Sequence, residues 1–232
     1  MLSSAFLIIG VVDFALLIWA LKLCARYRTN GLIFATIPLT LLWFDNLVIG
    51  IGGTLGQGDL LIGLNYVRFY AHYLALPMTF IAIGAMAREA QFEWAQKKWV
   101  MGVFCLVAVF FMVEDVVKFL AQDFYPSCFA DTLRYTTRVT EYTACSPDAE
   151  LVGKSVPPIA ALTLTVFNIG FGILLWVKRG WKWLLLGAAG AMGFFAVPYA
   201  STGGIFSNTG EPIITGVIIA TAAHIARRYK KT

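Results

Sequence analysis

Long apolar stretches run through almost the whole chain, and no polar linker separates them into groups. Each is about 20 residues long, which is the length that a helix needs to cross a bilayer while satisfying its own backbone hydrogen bonds. None shows the alternation of apolar and polar residues that is typical of a membrane β-barrel strand. We therefore predict an all-α membrane protein with seven transmembrane helices in a single domain, residues 1–232. The predicted spans are residues 4–23, 31–52, 66–87, 99–121, 157–177, 183–200 and 212–227.

The composition supports lipid as the main surrounding of this chain. Hydrophobic residues make up 59% of the sequence and charged residues 13%, whereas about 25% of the residues in soluble domains are charged. A soluble protein of 232 residues could not bury so much apolar surface. The net charge of +5 is carried by short basic runs beside apolar stretches, so it indicates membrane orientation rather than nucleic-acid binding. We expect the lipid bilayer as a partner and no nucleic acid.

The positions of Lys and Arg predict how the chain is oriented in the membrane. Cytoplasmic loops carry an excess of these residues, and here the loops after the first, third and fifth spans and the C-terminal tail are basic. The loops at residues 53–65 and 201–211 contain neither Lys nor Arg. We therefore predict an outside N-terminus, a cytoplasmic C-terminus and a location in the plasma (inner) membrane. The basic residues are Lys22, Arg26, Arg28, Arg88, Lys97, Lys98, Lys178, Arg179, Lys182, Arg227, Arg228, Lys230 and Lys231.

The longest loop, residues 122–156, is predicted to lie outside despite basic residues such as Lys154, since long loops cross the membrane largely regardless of charge. Cys128 and Cys145 then face an oxidising compartment, so we predict a disulfide between them; two free thiols are the alternative. Residues 132–143 are rich in Thr, Tyr and Val with partial alternation, which indicates a short β-hairpin.

Ionisable side chains occur inside the first four predicted spans, and His224 lies near the cytoplasmic end of the seventh. A charged group in the middle of the membrane costs roughly 2.5–3.5 kcal/mol even on insertion scales, so such residues are expected to face one another. With a rise of 1.5 Å per residue, most of them lie about 9–13 Å below the outer face, and four helices thus bring them to one layer. The residues are Asp13, Asp45, Arg68, His72, Glu114, Asp115 and Lys118.

The charges in this layer do not balance. Four carboxylates stand against two permanent cations, Arg68 and Lys118, and an apolar site cannot hold such an excess. Carboxyl groups must bind protons, His72 must be charged, or a cation must bind. A divalent cation is a candidate cofactor, with Asp45, His72 and Glu114 as its candidate ligands. The candidate functional residues are Asp45, Arg68, His72, Glu114 and Asp115.

The segment "RFYAHYLALP" resembles the third helix of microbial rhodopsins, in which an Arg precedes a Pro by nine positions, as Arg68 precedes Pro77 here. "FFAVP", with Phe194 and Pro198, is similar to an aromatic-then-Pro pattern in the sixth helix of that family. The resemblance implies seven spans with an outside N-terminus. The family tethers retinal to a Lys in helix seven, but residues 212–226 contain no Lys, and Ala71 occupies the position of the usual counter-ion. We therefore do not assign the chain to the family and do not expect retinal.

Three functions are compatible with this layer, and the sequence contains no phosphate loop, zinc-protease helix or nucleophile elbow. The first is an enzyme for a lipid or another hydrophobic substrate, with His72 or Asp45 as general base or metal ligand and Arg68 binding an anionic group. The second is a proton- or cation-coupled transporter or sensor in which Asp45, His72 and Glu114 titrate. The third is a structural membrane subunit, with Arg68 and Lys118 reaching the interface. The first ranks slightly ahead, because no carboxylates continue towards the cytoplasmic half.

Overall fold

Long apolar helices dominate the fold. The structure is a computed structural model that describes residues 1–153 and 159–229, of which 75% are helical. Six helical segments are long and apolar enough to cross a membrane. The architecture is that of an all-α, multi-pass membrane protein. The six segments are Leu2–Tyr27, Asn30–Leu55, Asp59–Glu89, Lys98–Leu120, Ile159–Arg179 and Ile205–Tyr229.

Two of these segments are interrupted at a proline. Pro38 divides the second segment and Pro77 divides the third, since proline lacks a backbone N–H and clashes with the preceding turn. Lys154, Lys230 and Lys231 lie outside the described residues, as do residues 157–158 of the fifth predicted span. The elements are α1 (Leu2–Tyr27), α2 (Asn30–Thr36), α3 (Leu39–Leu55), α4 (Asp59–Ala75), α5 (Met78–Glu89), α6 (Glu93–Gln96), α7 (Lys98–Leu120), β1 (Tyr125–Phe129), β2 (Thr132–Thr136), α8 (Ile159–Arg179), α9 (Trp183–Phe195), α10 (Tyr199–Thr202) and α11 (Ile205–Tyr229).

The sixth predicted span, residues 183–200, is only partly helical. Helix α9 has 13 residues, which gives a length of about 20 Å at 1.5 Å per residue. The hydrocarbon core of a bilayer is about 30 Å thick. The helix ends shortly before Pro198, because the residues that precede a proline are disfavoured in the α conformation. A seventh crossing therefore stays a prediction.

The last span begins seven residues earlier than its hydropathy indicates. Helix α11 starts at Ile205, whereas the sequence places its start at residue 212 and assigns residues 205–211 to a loop. This polar stretch is helical because its side chains pack against neighbouring helices, and Asn208 and Gly210 are buried. Glu211 therefore lies inside a long apolar helix and not in a loop.

A β-hairpin follows α7, but its register differs from the prediction. Strands β1 and β2 pair antiparallel, with Tyr125 opposite Thr136 and Phe129 opposite Thr132. The predicted hairpin of residues 132–143 is therefore wrong for its second half: β2 pairs with the preceding residues, because the chain reverses at Ala130, whose φ is 52°. The predicted disulfide is confirmed, since Cys128 and Cys145 are bonded with their Cα atoms 4.8 Å apart.

The hairpin packs closely on the end of α3. Leu133 and Tyr135 form a small buried cluster with Val48 and Leu61. The backbone of β2 also lies directly against Gly52, where a Cβ would overlap the carbonyl oxygen of Leu133. Glycine has no Cβ, so it permits this approach of strand to helix.

Hydrogen bonds between distant segments define one end of the bundle, which we call the basic end. The guanidinium of Arg179 donates to the carbonyl oxygens of Ala90 at 2.8 Å and Gln91 at 3.1 Å. Arg227 Nε donates to the hydroxyl of Tyr27 at 3.2 Å. The C-terminal ends of α1, α5, α8 and α11 therefore meet at this end.

The opposite end, which we call the hairpin end, is joined by the β1–β2 turn. The Asp131 carboxylate accepts the backbone N–H groups of Leu2 at 2.7 Å and Ser3 at 3.2 Å, and so caps the first turn of α1. Arg134 is buried and donates to the carbonyl oxygen of Gly203 at 2.9 Å. The hairpin thus holds the start of α1 and the segment before α11 at one end of the bundle.

Helix α5 is the most deeply buried helix. Every residue from Thr79 to Ala87 is buried, which matches a segment that is apolar or small on all sides. Phe80 stacks on Phe111 of α7 and packs edge-on against Phe167 of α8. This apolar core fills the bundle towards the basic end and leaves the polar side chains of α3, α4 and α11 beyond it, towards the hairpin end.

Candidate functional site

An ion pair between α3 and α4 lies at the centre of the site. Arg68 Nε is 3.1 Å from Asp45 Oδ1, and the two side chains are only 5% and 13% exposed. The guanidinium also lies 4.5 Å from the centre of the Phe69 ring. Both residues are sequence-predicted candidates. Arg68 is thus held inside the protein. It does not extend to the membrane interface, as the structural-subunit hypothesis expected.

Two asparagines extend this pair into a network across four helices. Asn208 Nδ2 donates to Asn46 Oδ1 at 2.9 Å and lies 3.3 Å from Asp45 Oδ2. Asn46 Nδ2 in turn donates to Asp13 Oδ2 at 3.0 Å. Asp13 and Asn46 are fully buried. The network therefore links α1, α3 and α11 through side chains alone.

A cavity of about 250 Å³ lies beside the ion pair, and Glu211 closes one side of it. Asp45, Arg68 and His72 line the same cavity. Glu211 Oε2 is buried and has no hydrogen-bond partner within residues 1–153 and 159–229. Two carboxyl groups, those of Asp45 and Glu211, thus share the cavity with one guanidinium, and a third, that of Asp13, is connected to them through Asn46.

The sequence reasoning missed three members of this network: Asn46, Asn208 and Glu211. A usable signal was present, because Asn208, Glu211 and Thr215 have the i, i+3, i+7 spacing of one helix face. The signal was not used, because the low hydropathy of residues 205–211 led to their assignment as a loop. Asn46 directly follows Asp45, but its neutral side chain does not enter a count of charges.

His72 lies between this cavity and a second one. The second cavity measures about 220 Å³ and is bounded by α4, α5, α7 and α8. His72 and Tyr73 line both spaces. His72 and Tyr73 therefore lie between the cavity beside the Asp45–Arg68 pair and the cavity that α7 lines.

The ionisable residues of α7 form a separate group. Glu114 pairs with Lys118 one turn later, and these side chains are 26% and 40% exposed. Asp115 and Lys118 line the 220 Å³ cavity, and neither is among the residues that line the 250 Å³ cavity. The structure therefore places the predicted residues at two adjacent cavities that share His72: Asp45 and Arg68 line one, Asp115 lines the other, and Glu114 lines neither.

The residues proposed for a divalent cation are not gathered as a ligand set. In the described part of the chain, no group of three or more His, Cys, Asp or Glu side chains is arranged to hold a metal ion. Among the three candidate ligands, Asp45 is paired with Arg68 and Glu114 with Lys118. The cation stays a prediction, and nothing below depends on it.

The arrangement is suited to binding an exchangeable proton or cation. Desolvating an unpaired carboxylate is costly, and a buried pair is tolerated only when further hydrogen bonds satisfy it. Here one guanidinium and two amide groups serve three carboxyl groups, so a proton or a cation must supply the remaining balance.

Comparison with known proteins adds no assignment: the sequence matches no protein-family model and no curated protein.

Proposed function

We propose that the chain is a proton-coupled membrane protein, a transporter or a sensor, whose proton-binding groups are the carboxyls around Arg68. The observation that carries this proposal is that Asp45 and Glu211 share one cavity with the buried guanidinium of Arg68, while Asp13 of α1 is connected to them through Asn46 and Asn208. Intramembrane ionisable residues that face the bundle interior commonly mark ion pathways and proton relays. We therefore rank the transporter or sensor hypothesis ahead of the enzyme hypothesis.

Charge balance requires exchangeable protons in this network. Asp45 balances the charge of Arg68, which leaves the charges of Asp13 and Glu211 without a permanent cation. Asn46 donates to Asp13, but an amide hydrogen bond does not neutralise a carboxylate. Protons bound to these carboxyl groups, with His72 exchanging one of them, restore neutrality without any cofactor.

The two cavities provide an entry route for the proton. Glu114 and Lys118 are partly exposed, and Asp115 and Lys118 line the 220 Å³ cavity together with His72. His72 also lines the 250 Å³ cavity with Glu211. A proton taken up on the carboxylates of α7 passes to the imidazole and from there to Glu211 or Asp45.

We also propose seven membrane crossings, with the hairpin end outside and the basic end in the cytoplasm of a plasma (inner) membrane. Arg179 lies at the basic end and Gly203 at the hairpin end, so α9 and residues 196–202 together connect opposite ends of the bundle. The positive-inside rule favours a cytoplasmic basic end. The disulfide at the hairpin end favours an oxidising compartment there.

The enzyme hypothesis remains the second candidate, because the 220 Å³ cavity favours it. The cavity combines apolar walls such as Leu76 and Phe80 with the polar groups of His72 and Asp115, as small-molecule sites do. In that case His72 acts as general base towards a lipid or other hydrophobic substrate, with Arg68 and Asp45 setting the charge behind it.

Tryptophan fluorescence of the purified protein during a pH jump tests the proposal. Trp43 precedes Asp45 by two residues and packs edge-on against Phe14 of α1, so it reports on the α1–α3 contact. We expect a pH-dependent change in emission that Glu211→Gln and Asp13→Asn abolish. Asp59→Asn is the matched control, because Asp59 is an exposed carboxylate at the first turn of α4. Identical responses of the wild type and Glu211→Gln would refute the proposal.

A flux assay then separates transport from sensing. The protein is reconstituted in vesicles that contain a pH-sensitive dye, and a membrane potential is imposed. Proton movement that is lost in Glu211→Gln and kept in Asp59→Asn identifies a transporter. A fluorescence response without proton movement identifies a sensor.

A further inference from the structure

The 220 Å³ cavity is a gap between two consecutive helices. Helix α7 packs on α4 and α5, and α8 packs on α5 and α9. Within the described residues the backbones of α7 and α8 lie apart, and the two helices meet through Phe104 and Phe167, whose ring centres are 6.0 Å apart. The cavity occupies the space between them, and Ile159, which lines it at the start of α8, is 49% exposed. The cavity is therefore accessible from the surface of the bundle.

The walls of the cavity are apolar along most of their length. Leu76, Pro77 and Phe80 come from the α4–α5 junction, and Ile159 and Leu164 come from α8. Sites that enclose a whole drug-sized ligand measure about 300–1,000 Å³. A cavity of about 220 Å³ holds the head and the first part of an apolar chain, and the rest of the chain would extend into lipid.

The polar end of the cavity carries a net negative charge. Lys118 is already paired with Glu114. Asp115 takes part in no salt bridge in the described part of the chain, although Lys118 lines the same cavity, so Glu114 and Asp115 together carry one negative charge more than Lys118 balances. The rings of Tyr73 and Phe80 line the same space, and aromatic faces attract cations. Charge and ring placement therefore favour a positively charged group here and disfavour an anion.

We propose that this cavity binds a lipophilic amine from the membrane, with its ammonium group on Asp115 and its chain along Leu76, Phe80 and Leu164. An ammonium donates up to three hydrogen bonds, and a charge-assisted bond to a carboxylate is roughly twice as strong as a neutral one. Hydrophobic contact along the chain supplies affinity, and Asp115 supplies selectivity for the head group. The inference does not depend on proton coupling at Glu211.

Three probes of equal chain length test the head-group preference: octylamine, octanol and octanoate. Binding is measured by titration calorimetry on the protein in lipid nanodiscs, with empty nanodiscs subtracted. We expect octylamine to bind about tenfold more tightly than octanol, a difference equal to one decade in Kd, and octanoate to bind most weakly. Asp115→Asn should reduce octylamine binding to the level of octanol, whereas the exposed control Asp59→Asn should leave it unchanged.

Filling the cavity tests its position. Leu164→Trp occupies the space and should abolish binding of all three probes. Ala161→Phe, which closes the cavity from an exposed position on α8, serves if Leu164→Trp does not fold. Equal affinity for the three probes, a preference for octanoate, or unchanged selectivity in Asp115→Asn would each overturn the inference. Glu211→Gln should bind octylamine as the wild type does, so failure here and failure of proton coupling are distinguishable.

Discussion

Arg68 and Asp45 form a buried ion pair between α3 and α4, with Arg68 Nε 3.1 Å from Asp45 Oδ1. The pair does not satisfy the whole site, because Glu211 lines the same cavity and Asp13 is connected to it through Asn46 and Asn208. Arg68 is therefore the fixed positive charge around which the carboxyl groups are arranged. The site thus contains more carboxyl groups than permanent cations.

Removing the guanidinium should destabilise the protein more than removing its carboxylate partner. Arg68→Met leaves Asp45 and Glu211 in one cavity without a cation, and breaking a buried pair in this way costs about 3–5 kcal/mol. Asp45→Asn should cost less, because Arg68 still faces Glu211. Thermal unfolding of the purified variants measures both effects.

The double variant provides the control for this comparison. Asp45→Asn combined with Arg68→Met should cost less than the sum of the two single changes, since residues in contact are not additive. Additive costs, or a larger cost for Asp45→Asn than for Arg68→Met, would contradict the assigned role of Arg68.

Asn46→Leu should weaken the fold by breaking the side-chain hydrogen-bond network between α1, α3 and α11. The substitution leaves the buried Asp13 carboxyl without its amide donor, and an orphaned buried group costs about 1–3 kcal/mol. Asn208 also loses one of its two acceptors but keeps Asp45 Oδ2 at 3.3 Å. Asn168→Leu is the matched control, because Asn168 is equally buried but donates only to the Leu164 carbonyl of its own helix. We expect a large drop in the unfolding temperature for Asn46→Leu and little change for Asn168→Leu; equal drops would argue against a connecting network.

Gly52→Ala should loosen the hairpin from the bundle. The added methyl group overlaps the carbonyl oxygen of Leu133, and overpacking of this kind costs roughly 1–3 kcal/mol. Gly63→Ala in α4 meets no atom within 4 Å, so it should stabilise its helix by about 0.5–1 kcal/mol. Protease cleavage within residues 137–153 reports on the hairpin directly. Faster cleavage in Gly63→Ala than in Gly52→Ala would be incompatible with the packing described.

Asp131 should make the contact between the hairpin and α1 sensitive to acid. The hydrogen bond from the N-terminal amine, with those from the Leu2 and Ser3 amides, lowers the pKa of Asp131 to about 2. Because this value is below that of an ordinary Asp at about 3.9, the charged form stabilises the fold above pH ~4, and this contribution is lost as the pH falls towards 2. Asp131→Asn should therefore unfold at a lower temperature than the wild type at pH ~7, and the difference should shrink near pH ~2. A difference that is independent of pH would exclude this role.

Sequence alone identified the charged pair but only part of its surroundings. Asp45 and Arg68 were found because a charge inside an apolar stretch is conspicuous and helix rise sets its depth. Glu211 and Asn208 were missed because a hydropathy boundary was taken for a helix boundary, although polar residues that pack inside a bundle continue the helix.

Local sequence patterns also failed to predict features that tertiary packing determines, such as strand pairing. The β propensity of residues 132–143 located a hairpin, but the partner strand lies before it, because the turn at Ala130 and the contact of β2 with Gly52 select the register. Asp115 and Glu211 line different cavities because α7 packs on α4 and α5, whereas α11 packs on α1, α2 and α9, and no periodicity in one chain encodes that arrangement.

Infrared difference spectroscopy of the purified protein tests the central claim most directly, because a protonated carboxyl has a carbonyl stretching band that a carboxylate lacks. The account predicts that the wild type shows such bands at neutral pH, that part of this signal disappears in Glu211→Gln and in Asp13→Asn, and that Asp59→Asn retains all of it. A wild-type spectrum without protonated-carboxyl bands, or one that neither substitution alters, would contradict proton binding around Arg68.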